Sequence, residues 1–134
     1  MDIRSIIAPV VQDREALEEF ADVLNERAHE IERDIARLAK SPTDREITAS
    51  LFRGVHNIKG DAALCKFELG IAVAHPNESL TSRFREGEIP FSGLLSEMIL
   101  LAVDRLELAT EAFLTGKSTD NLQLLALVQG LEAV

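Results

Sequence analysis

The chain has 134 residues, a length that suits one domain with its own hydrophobic core. Its 23 acidic residues outnumber its 14 basic residues, and the formal charge of −9 argues against a nucleic-acid partner, which would need a basic surface. Hydrophobic residues make up 46% and charged residues 28%, so the composition excludes a disordered chain and a membrane-like one.

The first predicted helix covers residues 12–40. Asp13 is its expected N-terminal cap, and Pro42 ends it because a proline disfavours helical geometry in the residue before it. Residues 1–11 contain Pro9 and are expected to form a lead-in segment. Apolar residues of the helix recur at intervals of three and four, which places them in one stripe: Leu17, Phe20, Leu24, Ala28, Ile31, Ile35 and Leu38.

The second and third helices follow after short connections. Thr43 and Glu46 form the pattern of a capping box at the start of the second helix. The third helix is predicted over Glu68–Arg85, with Pro76 in its middle, where a proline removes a backbone hydrogen bond and usually kinks the chain. The core stripe of the second helix is expected at Leu51, Val55, Ile58, Ala62, Cys65 and Leu69.

The fourth helix is predicted to begin after Ser92 and to end near Leu114, and a fifth covers residues 119–133. No segment shows a strand pattern, and short connections make successive helices antiparallel neighbours. The predicted fold class is therefore all-α, an antiparallel four-helix bundle over residues 12–114 with an additional C-terminal helix. The stripe that we expect the fourth helix to bury is Leu94, Met98, Leu101, Arg105, Leu108 and Ala112, widened by Leu95, Ala102, Leu106 and Ala109.

The second helix carries the pattern with the clearest chemical meaning. His56 is followed by Lys59 and Gly60, so an imidazole, an ammonium group and a missing side chain fall within about one helical turn. Glycine inside a helix lowers the stability of the helix by about 1 kcal/mol relative to alanine. At position 60, however, the glycine leaves space beside the His56 ring for an anion. The residues alone leave a second interpretation open, in which His56 is an exposed surface residue and Gly60 a close contact between helices.

Residues 51–60, with the sequence LFRGVHNIKG, resemble the signature of histidine phosphotransfer (HPt) domains. In that family a phosphorylatable histidine within a helical bundle is followed by lysine at the third position and glycine at the fourth. Residues 74–78 and 85–88 resemble the next helix of the HPt domain found at the start of chemotaxis-type (CheA-like) histidine kinases, and Asp104 is similar to that subtype. The resemblance covers about residues 12–132 and implies that residues 1–134 form a single HPt domain.

The resemblance also implies a function. His56 would accept a phosphoryl group on Nε2 from a histidine kinase and pass it to an aspartate of a response-regulator receiver domain. Lys59 would stabilise the phosphoryl charge, Gly60 would leave room for the receiver, and His75 with Glu78 would support the acceptor ring. The docking residues expected around the acceptor are Phe52, Arg53, Ala63 and Leu64.

Three departures from the family pattern affect this expectation. Asp61 adds a negative charge near the phosphoryl site, Lys66 replaces a frequent glycine at a turn, and Pro76 is positioned to shift Glu78 relative to His56. The departures leave open an alternative, a non-transferring helical interaction module that binds a receiver or kinase domain. A helical dimerisation domain is a third possibility.

No cofactor or metal is expected in this chain, although Mg²⁺ is expected in the partner receiver domain. His56, Cys65 and His75 do not supply the roughly four ligands of a zinc site, and no glycine-rich loop indicates an ATP site. A kinase catalytic domain must therefore phosphorylate this chain. Whether that domain is part of the same polypeptide stays open, and with it whether the chain belongs to an enzyme. The single cysteine and the absence of a signal-peptide pattern favour a cytoplasmic location without a membrane partner.

Overall fold

The computed structural model describes residues 14–118 and 122–133. Within these ranges the chain forms five α-helices, which confirms the all-α prediction. The expected lead-in segment 1–11 and the expected cap Asp13 lie outside the described residues. The helices are α1 (Arg14–Lys40), α2 (Arg45–Leu64), α3 (Glu68–Arg85), α4 (Gly93–Thr115) and α5 (Leu124–Glu132).

The first four helices close into a ring around one core. Helix α1 packs against α2 and α4, and α3 packs against the same two helices, so α2 and α4 lie diagonally across the bundle. Helix α5 packs mainly against α3. The core is largely aliphatic, and its fully buried large side chains include Leu24, Ile31, Leu38, Leu51, Leu69, Leu80, Ile99 and Leu106.

Residues just outside both ends of α2 mark where this helix begins and ends. Asp44 is the N-terminal cap, because its carboxylate accepts hydrogen bonds from the backbone N–H groups of Glu46 at 2.9 Å and Ile47 at 3.1 Å. The sequence-based choice of Thr43 as the capping residue was therefore wrong by one position. After the helix, Lys66 adopts a φ of 57°, a left-handed conformation that glycine adopts with less strain.

The centre of the stripe that α4 was expected to bury is largely exposed, whereas the residues expected to widen it, Leu95, Ala102, Leu106 and Ala109, are buried. Leu94, Leu101 and Leu108 are 69%, 43% and 39% exposed, respectively. The expected and observed stripes recur at similar helical intervals, so periodicity alone did not identify which of them faces the core. The residues that α4 does bury are Leu95, Ile99, Ala102, Val103, Leu106, Ala109, Thr110, Ala112 and Phe113.

Helices α2 and α3 approach each other closely at Gly70. A Cβ atom at this position would lie 2.9 Å from the Cβ of Ala62 and 2.8 Å from the ring of Phe67. Real Cβ atoms do not come this close to other atoms, so only glycine fits without a shift of the backbone. The absence of this side chain lets the first half of α3 lie directly against the second half of α2.

Replacement of Gly70 by alanine tests this close approach. We expect Gly70→Ala to lower the free energy of unfolding by about 1–3 kcal/mol, because the added methyl group would overpack the α2–α3 interface. Chemical denaturation measures the change. The matched control is Gly130→Ala in α5, where a Cβ atom meets nothing within 4 Å, so stability should stay equal or rise. Equal stability of Gly70→Ala and the parent would contradict the packing described here.

Candidate functional site

The histidine of α2 and the glutamate of α3 meet across the interface of these helices. His56 Nδ1 lies 3.0 Å from Glu78 Oε2. The His56 side chain is 56% exposed, whereas the Glu78 side chain is only 17% exposed. Helix α3 continues through Pro76, and the contact forms two residues later. The displacement of Glu78 that Pro76 was expected to cause is therefore not observed.

Lys59 binds the same carboxylate from the next turn of α2. Its ammonium nitrogen lies 3.0 Å from the Glu78 carboxylate oxygens. His56 and Lys59 are three residues apart and share one face of the helix, so both reach Glu78 without distortion of the backbone. One acidic group of α3 is thus bound by two groups of α2.

The protonation state of Glu78 determines which nitrogen of His56 carries a proton. Burial is the largest single influence on Glu78 and raises its pKa, but the hydrogen bonds and charges of Lys59 and His56 together hold the pKa below its ordinary value of 4.5. Glu78 is therefore ionised at neutral pH and can only accept hydrogen bonds. Nδ1–H of His56 must be the donor, which leaves the lone pair of the neutral ring on Nε2. Nε2 is the atom available for nucleophilic attack.

An aromatic contact adds to the environment of the histidine. Phe52 lies one turn before His56, and the two rings are stacked with centroids 5.9 Å apart and planes 16° apart. The guanidinium carbon of Arg85, the last residue of α3, lies 3.9 Å from the centroid of the Phe52 ring. Sequence reasoning selected Phe52 as a docking residue and missed its contact with Arg85, because no local pattern relates residues on different helices.

The other residues selected for docking lie along the outer side of α2. Arg53 and Ala63 are exposed, and Leu64 is 86% exposed. Gly60 is exposed as well, and a Cβ atom there would meet no atom of the described residues within 4 Å. Gly60 is therefore not a close contact between helices of this chain, and the second interpretation of this glycine was wrong.

Two residues expected beside the histidine make their contacts elsewhere. Asp61 Oδ2 lies 3.5 Å from Nε of Arg27 on α1, so its charge is balanced on the side of α2 that faces α1. His75 is exposed and lines a groove of about 340 Å³ between α3 and α5. Glu78 forms ion pairs with His56 and Lys59, and the structure does not bring His75 into this cluster.

Cys65 follows the last residue of α2 and is only half-buried, whereas the sequence pattern placed it on the core stripe. Within residues 14–118 and 122–133, no group of three or more histidine, cysteine or acidic side chains is arranged to hold a metal ion. No helix of the described residues combines the length and the apolar character needed to span a membrane.

A helical bundle that presents an exposed histidine, with a carboxylate bound to one ring nitrogen, has the architecture of a histidine phosphotransfer domain. Comparison with known families agrees with this class. The model of the Hpt domain family matches residues 15–133. The chain belongs to the Hpt domain family, as the sequence resemblance indicated.

The curated relatives are bacterial signalling proteins. The sensor histidine kinase CheAY of Helicobacter pylori is 26% identical over 109 residues, which are 81% of this chain. The chemotaxis protein CheA of Cereibacter sphaeroides is 30% identical over 102 residues, or 76% of this chain. The matched region spans only 14% of the length of each relative.

Solved structures share the fold. The CheA phosphotransferase domain from Thermotoga maritima superimposes with a TM-score of 0.68 at 26% identity, over 75% of this chain and 95% of that domain. The phosphorylated P1 domain of CheA3 from R. sphaeroides, solved in complex with CheY6, gives a TM-score of 0.73 at 23% identity, over 90% of this chain and 95% of that chain.

The lowered pKa of Glu78 predicts how the stability of the site depends on pH. A carboxyl group whose pKa falls on folding contributes stability above its ordinary value of 4.5 and loses that contribution as the pH falls through the folded value. We therefore expect Glu78→Gln to be less stable than the parent at neutral pH, with a difference that shrinks below about pH 4.5. Urea denaturation at a series of pH values measures this.

Glu88→Gln is the matched control, because Glu88 is an exposed carboxylate that forms an ion pair with Arg83 at the surface. Its effect should be smaller at every pH, as is usual for a surface ion pair. A difference between Glu78→Gln and the parent that stays constant from neutral to acid pH would contradict the ionised state assigned to Glu78.

Proposed function

We propose that His56 accepts a phosphoryl group on Nε2 from the catalytic domain of a histidine kinase and passes it to an aspartate of a response-regulator receiver domain. The contact of 3.0 Å between Nδ1 of His56 and Glu78 carries this proposal, since it leaves Nε2 as the nucleophile on an exposed ring. Membership of the Hpt domain family supports it, as does the likeness to chemotaxis proteins, one of which was solved in complex with CheY6.

In the first step, the lone pair of Nε2 attacks the terminal phosphorus of ATP held by the kinase. An N–P bond forms while the P–O bond to ADP breaks, and ADP leaves with the electron pair of that bond. Positive charge develops on the imidazole as the N–P bond forms. The Glu78 carboxylate, already in place at Nδ1, stabilises that charge without rearrangement.

Lys59 has two tasks in this proposal. Before phosphorylation, its ammonium group offsets the negative charge of Glu78, which would otherwise repel the incoming phosphoryl group. An ammonium group has three N–H donors, so Lys59 can keep one on Glu78 and offer another to a phosphoryl oxygen. This local positive charge matters in a chain whose formal charge is −9.

In the second step, an aspartate oxygen of the receiver attacks the phosphorus, the N–P bond breaks, and the lone pair returns to Nε2. The receiver must approach His56 closely along the outer side of α2. Gly60 leaves empty space one turn beyond the ring, and the exposed Leu64 offers an apolar contact one turn further on. We assign the Mg²⁺ needed for this step to the receiver domain.

In this proposal, the phosphoryl group comes from a kinase catalytic domain that is not among the residues of this chain. The matched region spans 14% of CheAY and 14% of the Cereibacter sphaeroides CheA, so those proteins have further regions that this chain does not match. We propose that the kinase catalytic domain belongs either to a separate protein or to another part of a longer polypeptide.

Phosphorylation with a chemotaxis-type kinase tests the role of His56. The protein is incubated with the kinase catalytic domain and radiolabelled ATP, and we expect label that is stable in base and lost in acid, as for a phosphohistidine. The label should be absent from His56→Gln. His29→Gln is the control, because His29 is an exposed residue of α1, and it should retain the label. Label in His56→Gln would overturn the assignment, and no label in the parent would favour the non-transferring interaction module.

Gly60→Ala separates stability from partner access. Alanine in place of a glycine inside a helix should raise the free energy of unfolding by up to about 1 kcal/mol, since the added methyl group meets no atom of the described residues. The same methyl group should slow transfer to the receiver, because it occupies the space beside His56. Gly130→Ala should raise stability without slowing transfer. Equally fast transfer by Gly60→Ala would contradict the role given to Gly60.

A further inference from the structure

We infer that Arg85 is a positioning residue, which holds Phe52 against the imidazole of His56 and so fixes the plane of the acceptor ring. The inference rests on the proposed phosphotransfer function and adds a residue to it. Three contacts carry the argument: the bond between His56 and Glu78, the stack of Phe52 on His56, and the guanidinium of Arg85 over Phe52.

The hydrogen bond to Glu78 does not by itself define the orientation of His56. It fixes the position of Nδ1, while a ring that is 56% exposed remains free to pivot about that bond. The stack with Phe52 supplies the missing restraint, because the two ring planes lie only 16° apart with their centroids 5.9 Å apart, an offset stack. Glu78 therefore fixes the position of Nδ1, and Phe52 fixes the plane of the imidazole ring.

Phe52 in turn needs support, because it is only half-buried on the outer side of α2. Arg85 supplies it with a guanidinium carbon 3.9 Å from the ring centroid, a distance at which cation–π attraction is strong. The planar guanidinium also covers the aromatic ring more fully than a lysine ammonium group would. Arg85 therefore acts on His56 through Phe52.

The spacing along both helices is consistent with this arrangement. Glu78 and Arg85 are seven residues apart and share the face of α3 that meets α2, while Phe52 and His56 are four residues apart on α2. The two helices run in opposite directions, so the later residue of α3 meets the earlier residue of α2. Helix α3 thus restrains His56 directly through Glu78 and indirectly through Arg85.

Ring orientation matters for the chemistry because the lone pair of Nε2 lies in the plane of the imidazole. Attack on phosphorus requires that lone pair to point along the P–O bond that breaks. A ring whose plane varies spends less time aligned, and loss of alignment lowers the rate of the chemical step without weakening the encounter with the kinase.

Kinetics of phosphorylation by a chemotaxis-type kinase catalytic domain test the inference. For Arg85→Gln we expect the maximal rate to fall about two- to fivefold, the size expected for one exposed cation–π contact, with an unchanged KM for the HPt protein. Arg85→Lys keeps a cation and should recover part of the rate. Arg83→Gln removes a charge from the same end of α3, where Arg83 contacts Glu88, and should leave the rate near that of the parent.

A second measurement needs no phosphorylation. Nuclear Overhauser contacts between the rings of Phe52 and His56, together with the ring-current shifts of the His56 protons, report the stack directly. We expect both to weaken in Arg85→Gln and to stay unchanged in Arg83→Gln. If the kinase fails to label the parent protein, the proposed function fails, while this measurement still decides the role of Arg85.

Two results would overturn the inference. His56 signals in Arg85→Gln that match those of the parent would show that Arg85 does not hold the stack. A rise in KM with an unchanged maximal rate would show that Arg85 contacts the kinase rather than orients the acceptor ring.

Discussion

The carboxylate of Glu78 is the group on which the rest of the site depends. Its side chain is largely buried, which raises its pKa, and its bonds to Lys59 and His56 more than offset that effect, so that the pKa lies below its ordinary value. The same bonds set the tautomer of His56 and neutralise the charge beside it. The orientation of the nucleophile and the local charge are therefore coupled, so a substitution at any of these three residues changes the other two.

The packing of α3 on α2 provides the geometry that this carboxylate needs. Gly70 lets the helices approach closely, and α3 then carries Glu78 to the level of His56 and Arg85 to the level of Phe52. The opposite side of α2 makes a separate contact, in which Asp61 binds Arg27 of α1. Asp61 thus makes its contact away from the cluster of His56, Lys59 and Glu78.

The parts of this molecule that sequence predicts are those encoded at short range. His56, Lys59 and Gly60 lie within five consecutive residues, and the bounds of α3 follow from its flanking turns. The centre of the buried face of α4 was misplaced because this helix is apolar around more than half its circumference, so two neighbouring stripes fit the same pattern. The contact of Arg85 with Phe52 joins residues far apart in the chain, and only the packing of the helices reveals it.

The glycines of α2 and α3 give an argument for the docking surface that is independent of family resemblance. At Gly54 a Cβ atom would lie 3.0 Å from Ile31, and at Gly70 it would lie 2.9 Å from Ala62, so packing within the chain explains both. Gly60 has no such neighbour among the described residues, yet it costs the helix about 1 kcal/mol. Leu64, four residues later, is 86% exposed. Folding alone would favour alanine and a polar residue at these two positions. Their occurrence on one face beside His56 is the pattern expected of a docking surface.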